Sequence, residues 1–202
     1  VLFRSISSEA AVVMENTTNT ILYSKNADEV LFPGSTVKIM TCLLALENTQ
    51  LTDEVTMTAT GVSGVTDGGA SISSQVDEVF TVEQCLYAIM VASANDIALQ
   101  IAEHVGGSVD GFVQQMNTRA QELGCTNTVF TNPTGLPDDN QHTTAHDMAL
   151  IMQAAIQNES FRTIAAATSY TIPATNKAAA RNLTSKFTMT DTGSTGFYEG
   201  CI

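Results

Sequence analysis

The segment after Pro33-Gly34 constrains the fold more than any other. From Thr36 to Glu47 the residues suit a helix and are mostly apolar, and Lys38 is the only charge before Glu47. Pro33-Gly34 breaks the chain just ahead of it, so the expected helix begins at Ser35. A helix that is apolar nearly all round has no face to give to water, and other elements must enclose it. At 202 residues the chain is long enough for one substantial core, or for one core with a smaller lobe inserted. Hydrophobic residues are 44% and charged residues 14%, which is a globular composition and not a disordered one. The formal charge of -13, from 21 acidic against 8 basic residues, leaves no basic patch to neutralise phosphates and argues against a nucleic-acid partner. No apolar run approaches the roughly 18 residues of a membrane span, and no signal peptide is recognisable.

Along the chain, Ala10–Glu15 and Ile21–Ser24 are β-favouring runs on either side of Asn16-Thr17-Thr18-Asn19, which reads as a hairpin. Leu51–Val79 is rich in Thr, Ser, Gly and Asp and reads as loops and short strands. Thr81 with Gln84 fits a capping box, opening a helix through Met90. Further helices are expected over Ala94–His104, over Val109–Leu123 with Ser108 as N-cap and Gly124 as terminator, over Thr144–Gln157 and over Glu159–Ala167. Ser169–Ile172 reads as a strand. Strands lie near the chain ends and helices between them, which suggests an α+β fold: a mainly antiparallel sheet built from both termini with a helical lobe inserted.

Ser35 and Lys38 place a hydroxyl and an amine three residues apart at a helix start, on one side of it. A neutral amine there can take the serine proton, and burial beside Ile39 and Met40 would lower its pKa. Ser-x-x-Lys alone should arise by chance about once in a chain this long. Ser93-Ala94-Asn95 adds weight, because it sits on a tight turn between two helices. A second serine can relay a proton to a leaving amine, and an asparagine amide can bind a substrate carbonyl while holding Lys38. Ser24-Lys25-Asn26 repeats the Ser-x-Asn pattern but ends a hairpin strand. Cys42, Cys85, Cys125 and Cys201 form no C-x-x-C pair and read as buried free thiols, with a disulfide left open by spacing alone. His142 and His146 are i, i+4 on an expected helix start, with no third ligand. Together with His104 they read as structural or surface residues, and no metal or other cofactor is expected.

Phe32-Pro33-Gly34-Ser35-Thr36-Val37-Lys38-Ile39-Met40-Thr41 and Leu86–Asp96 resemble the low-molecular-mass penicillin-binding proteins that act as D-alanyl-D-alanine carboxypeptidases. The likeness continues through Phe112–Asn117, Asn132-Pro133-Thr134-Gly135-Leu136-Pro137 and His142–Met148, where the family more often has Tyr at the position of His146. It covers Ala10 to Ile202. The resemblance implies a β-lactamase/transpeptidase-like fold and a serine acyl-transfer cycle on peptidoglycan stem peptides ending in D-Ala-D-Ala, with β-lactams acylating the same serine. By position, Ser35 is the nucleophile, Lys38 its base, and Ser93 and Asn95 complete proton transfer and substrate positioning. The Ser35 backbone N–H supplies one oxyanion donor. Arg181 is a lesser candidate for the substrate carboxylate. The implied setting is the extracytoplasmic bacterial cell envelope, with any membrane-surface segment absent from this chain.

The family's third motif, Lys followed by Thr or Ser and then Gly, has no counterpart here. Asp191-Thr192-Gly193 and Ser194-Thr195-Gly196 lack the cation, and Phe197–Ile202 resembles the stretch just before that motif. The expectation is a single catalytic domain over 6–202, incomplete at its C-terminus, with Val1–Ser5 non-native. On that view the 202-residue chain should not form a stable penicillin adduct. A serine β-lactamase is the first alternative, and no Glu-x-x-x-Asn segment follows Ser93 to support it. An inactive truncated module that binds cell-wall peptides is the second.

Overall fold

The computed structural model describes residues 6–63 and 69–185. Val1–Ser5, Cys201 and the two Thr-Gly lookalikes after Lys186 lie outside the described residues. The hairpin is present: β1 (Ala11–Met14) pairs antiparallel with β2 (Ile21–Lys25), Ala11 facing Lys25, with a register irregularity between Val13 and Met14. Its turn is tied by Glu15, whose Oε2 accepts from the backbone N–H groups of Thr17 and Thr18 at 3.0 and 2.6 Å.

The apolar helix starts later than expected. Gly34–Val37 is a 3-10 turn, and α1 runs from Lys38 to Asn48. Pro33 has no N–H to give, and Thr36 Oγ1 donates to the Pro33 carbonyl at 2.7 Å, which tightens this first turn. The N-cap position of this turn falls on Pro33, which makes no side-chain cap hydrogen bond. From there α1 behaves as its composition demands. Met40, Thr41, Cys42, Leu43, Leu44 and Ala45 are buried, and the helix packs against α3 (Val82–Ala92), α4 (Asn95–Gly106), α5 (Val109–Glu122), α6 (Ala145–Ala155) and α7 (Glu159–Ala165). Each large apolar side chain fully buried here contributes about 1.5–3 kcal/mol, so α1 is the axis of the core.

The caps read from sequence are in place. Thr81 and Gln84 form a reciprocal capping box at α3. Ser108 Oγ accepts from Gly111 N, and Gly124 follows α5 at φ +85°. Thr144, read from sequence as the first residue of its helix, is the N-cap of α6 and accepts from Asp147 N at 3.0 Å. One helix was not legible: α2 (Ala59–Ser63) lies within the stretch read as loops, between β3 (Glu54–Thr56) and β4 (Val79–Thr81). Its Ala-Thr-Gly-Val-Ser sequence has little helix propensity, and tertiary packing holds it. Gly61 lies so close to α4 that a Cβ would come within 2.6 Å of Gln100 Oε1, and the same oxygen accepts from Thr58 N at 2.7 Å.

The described strands form three two-stranded antiparallel sheets: β1–β2, β3–β4, and β5 (Ser169–Ile172) with β6 (Arg181–Thr184). The fold is thus α+β with small antiparallel sheets, two of them toward the chain ends and the third, β3–β4, between α1 and α3. No described helix is long and apolar enough to cross a membrane.

Candidate active site

Ser35 stands exposed on the 3-10 turn, and Lys38 opens α1 with only 3% of its surface accessible. The Lys38 Nζ donates to Asn95 Oδ1 at 2.7 Å and to the Thr134 carbonyl at 2.6 Å. Burial lowers its pKa from 10.5 to about 8, with Cys42 opposing weakly. A neutral amine has two N–H groups and one lone pair. Asn95 and Thr134 take both N–H groups, so the lone pair is what remains for a proton. With a pKa of about 8, roughly a tenth of the molecules hold this form at neutral pH. The Cys42 thiol is itself pushed up to about 12 by burial, so no thiolate forms beside Lys38 to pin its charge.

Ser93 ends α3 in the left-handed conformation, at φ 57° and ψ 34°. For a non-glycine residue this costs about 1–2 kcal/mol. The neighbours hold it there. Asn95 N donates to the Ala70 carbonyl at 2.8 Å, and the fully buried Asp96 carboxylate accepts from Ser74 Oγ at 2.8 Å and Ser74 N at 3.1 Å. The turn brings Ser93 into a cleft of about 390 Å³ that Ser35 and Lys38 also line, with an apolar wall of Ile39, Ile89 and Met90. Four residues singled out by sequence, Ser35, Lys38, Ser93 and Asn95, therefore meet in one place. The second Ser-x-Asn does not join them: Lys25 Nζ is spent on the carbonyls of Ile6 and Ser8.

Arg181 is engaged in an ion pair. Its Nη1 and Nη2 donate to Glu78 Oε1 and Oε2 at 2.7 and 2.9 Å, and its guanidinium lies 5.7 Å from the Phe80 ring centroid. The Glu78 side chain is wholly buried and is balanced by this cation. Of the i, i+4 pair, His142 precedes α6 in a bridge with Val129, and His146 lies in the first turn of α6, its Nδ1 3.4 Å from Asp28 Oδ1. Among the described residues no group of His, Cys, Asp and Glu is arranged to hold a metal ion. Cys42, Cys85 and Cys125 are buried free thiols. What sequence reasoning missed is Thr134, because its contribution is a backbone carbonyl.

The family model for D-alanyl-D-alanine carboxypeptidase matches residues 2–201. The chain belongs to the D-alanyl-D-alanine carboxypeptidase family. It is 38% identical over 158 residues to the D-alanyl-D-alanine carboxypeptidase DacF of Bacillus subtilis, an alignment covering 76% of this chain and 40% of the relative. Among solved structures, it superposes on the D-alanyl-D-alanine carboxypeptidase DacD of Francisella tularensis with a TM-score of 0.79 at 30% identity, over 88% of this chain and 43% of that one. A single-site mutant of a Streptomyces DD-transpeptidase gives a TM-score of 0.87 at 29% identity, over 94% and 78%. The chain thus spans about two fifths of the length of the Bacillus relative. The structure puts Ser35, Lys38 and Ser93 on one cleft and ties Asn95 to it through Lys38 Nζ.

Proposed function

We propose that this chain carries the acylation half of a serine D-Ala-D-Ala carboxypeptidase acting on peptidoglycan stem peptides in the extracytoplasmic cell envelope. The observation that carries the reading is the buried Lys38 amine, whose two N–H groups are held by Asn95 and Thr134 beside the cleft that Ser35 lines. Ser35 Oγ attacks the carbonyl of the penultimate D-alanine, and its proton passes to the Lys38 lone pair. The Ser35 backbone N–H donates to the developing oxyanion. As the tetrahedral adduct collapses, the C–N bond breaks and the terminal D-alanine leaves as an amine. It receives the proton from Lys38 through the Ser93 hydroxyl. Water then hydrolyses the ester on Ser35. A β-lactam would approach the same oxygen, but this sequence has no Lys-Thr/Ser-Gly cation for its carboxylate, and no stable adduct is expected.

The test uses a probe without a terminal carboxylate, because the family's Lys-Thr/Ser-Gly cation has no counterpart in this sequence. N-acetyl-D-alanine p-nitrophenyl ester presents the acyl half of the substrate with an activated leaving group. The expected result is acyl mass on the Ser35 peptide, formed faster from the D than from the L ester and absent in Ser35→Ala and Lys38→Met. Equal nitrophenolate release by Ser35→Ala, or a preference for the L ester, would sink the reading.

A further inference from the structure

The loop from Asn132 to Leu136 touches both Lys38 and the nucleophile turn, almost entirely through backbone. Thr134 C=O accepts from Lys38 Nζ at 2.6 Å, and the adjacent Pro133 C=O accepts from Thr41 Oγ1, one helical turn further along α1, at 2.8 Å. Gly135 lies directly against the nucleophile turn. A Cβ built on it would come 1.9 Å from the Gly34 carbonyl oxygen and 2.8 Å from Ser35 N, and its φ of +81° is one that L side chains rarely adopt.

The shape of this loop is set by one side chain. Asn132 Oδ1 accepts from Gly135 N at 2.8 Å, Thr134 Oγ1 at 2.9 Å and Thr134 N at 3.2 Å, while its Nδ2 donates to the Leu136 carbonyl at 3.1 Å. Gln141, 2% exposed, anchors the loop from behind, its Oε1 accepting from the N–H groups of Thr131 and Asn132 at 3.1 Å each. We propose that Asn132 is a positioning residue that, through the Thr134 carbonyl and the Gly135 backbone, fixes the Lys38 amine against the Ser35 turn. The inference rests on the roles given above to Ser35 and Lys38, and it adds a residue that reaches neither side chain itself. Without the Asn132 amide, four hydrogen bonds within the loop are lost. The Thr134 carbonyl is then free to swing away, and water can reach the Lys38 nitrogen that the loop now covers.

The amine can be watched without substrate. The chain has four lysines, Lys25, Lys38, Lys177 and Lys186, so the 13Cε resonance of Lys38 can be assigned by its loss in Lys38→Met. In the wild-type chain that resonance should titrate well below an ordinary lysine. In Asn132→Ala the midpoint should move up by about one pH unit or more toward the ordinary lysine value, with the D-alanyl ester acylation profile displaced in the same direction. Gly135→Ala is the second variant, because its Cβ must push the loop off Gly34, and it should shift the midpoint likewise. Gly124→Ala is its control: that glycine has φ +85° with nothing within 4 Å of the added Cβ, so it bears the same backbone penalty and should leave Lys38 unchanged. The proposal is overturned if wild-type Lys38 titrates as an ordinary lysine. It is also overturned if Asn132→Ala and Gly135→Ala lower thermal stability while the midpoint stays where it was. Because the titration needs no turnover, a failed ester test with a shifted midpoint would count against the function alone, and the reverse pattern against Asn132 alone.

Discussion

Replacing Lys38 by Met tests the energetic claim beneath the site: the fold carries a buried amine at a cost it would not bear for stability alone. Met has nearly the same length and no proton. The gap between 10.5 and about 8 corresponds to about 3 kcal/mol of unfavourable burial of the charged form. Below pH 8 both the folded and unfolded wild-type chains hold the proton, and the folded state bears the whole cost. Between about 8 and 10.5 the unfolded chain holds it and the folded one does not, so unfolding free energy rises by about 1.4 kcal/mol per pH unit. Above that range the cost is gone. The Met variant lacks the effect and leaves Asn95 Oδ1 and Thr134 O without their donor, a penalty of about 1–3 kcal/mol each that does not change with pH. Urea unfolding of both chains at several pH values therefore separates the two contributions. The difference, wild type minus Lys38→Met, should climb by about 2 kcal/mol between pH 7 and pH 9.5, while other titrating groups cancel. A difference flat to within about 0.5 kcal/mol would mean that Lys38 ionises as an ordinary surface lysine and would refute the account of the base.

Arg181→Ala should destabilise by about 3–5 kcal/mol in urea unfolding, because the buried Glu78 carboxylate loses its cation, and the double change Arg181→Met with Glu78→Leu should recover most of it. Burial pushes the Glu78 pKa up, but hydrogen bonds from Arg181, Thr175 and Gln75 N outweigh it and hold it below the usual value of 4.5. The stability it gives is therefore present above that value and lost as pH falls through the depressed one, so Glu78→Gln should flatten the acid limb of a pH–stability curve. Gly106→Ala, whose Cβ would sit 2.4 Å from the Phe112 backbone nitrogen, should lower the thermal midpoint by an amount equivalent to about 1–3 kcal/mol. Thr81→Ala removes one half of the capping box and should cost about 1 kcal/mol in the same assay.

How far the sequence could be read follows from where each determinant is written. Thr81 with Gln84, Ser108 and Thr144 act on backbone N–H groups three residues away, so a short window of sequence holds both partners, and these helix starts were legible. Ser35, Lys38, Ser93 and Asn95 could be singled out because the chemistry proposed for each belongs to its side chain and shows in its residue type. The Asn132 loop and the Glu78–Arg181 pair are of another kind. Thr134 and Gly135 contribute a carbonyl and the absence of a side chain, which any residue or a glycine in any turn would also show, and Lys38 lies 96 residues from its carbonyl partner. Arg181 is 103 residues from Glu78. Its charge was visible, but whether that charge was free for a ligand depended on the burial of a carboxylate that sequence alone would place on the surface. The late start of α1 has the same origin on a smaller scale. Pro33 marked the break, yet the Thr36 hydroxyl bond back to the Pro33 carbonyl tightens the first turn, and Gly135 leaves no room for a side chain between its loop and Gly34. Ser35 therefore sits on a turn that lies against a loop a hundred residues away in the chain, and a serine picked out by its own neighbours in sequence has others in space.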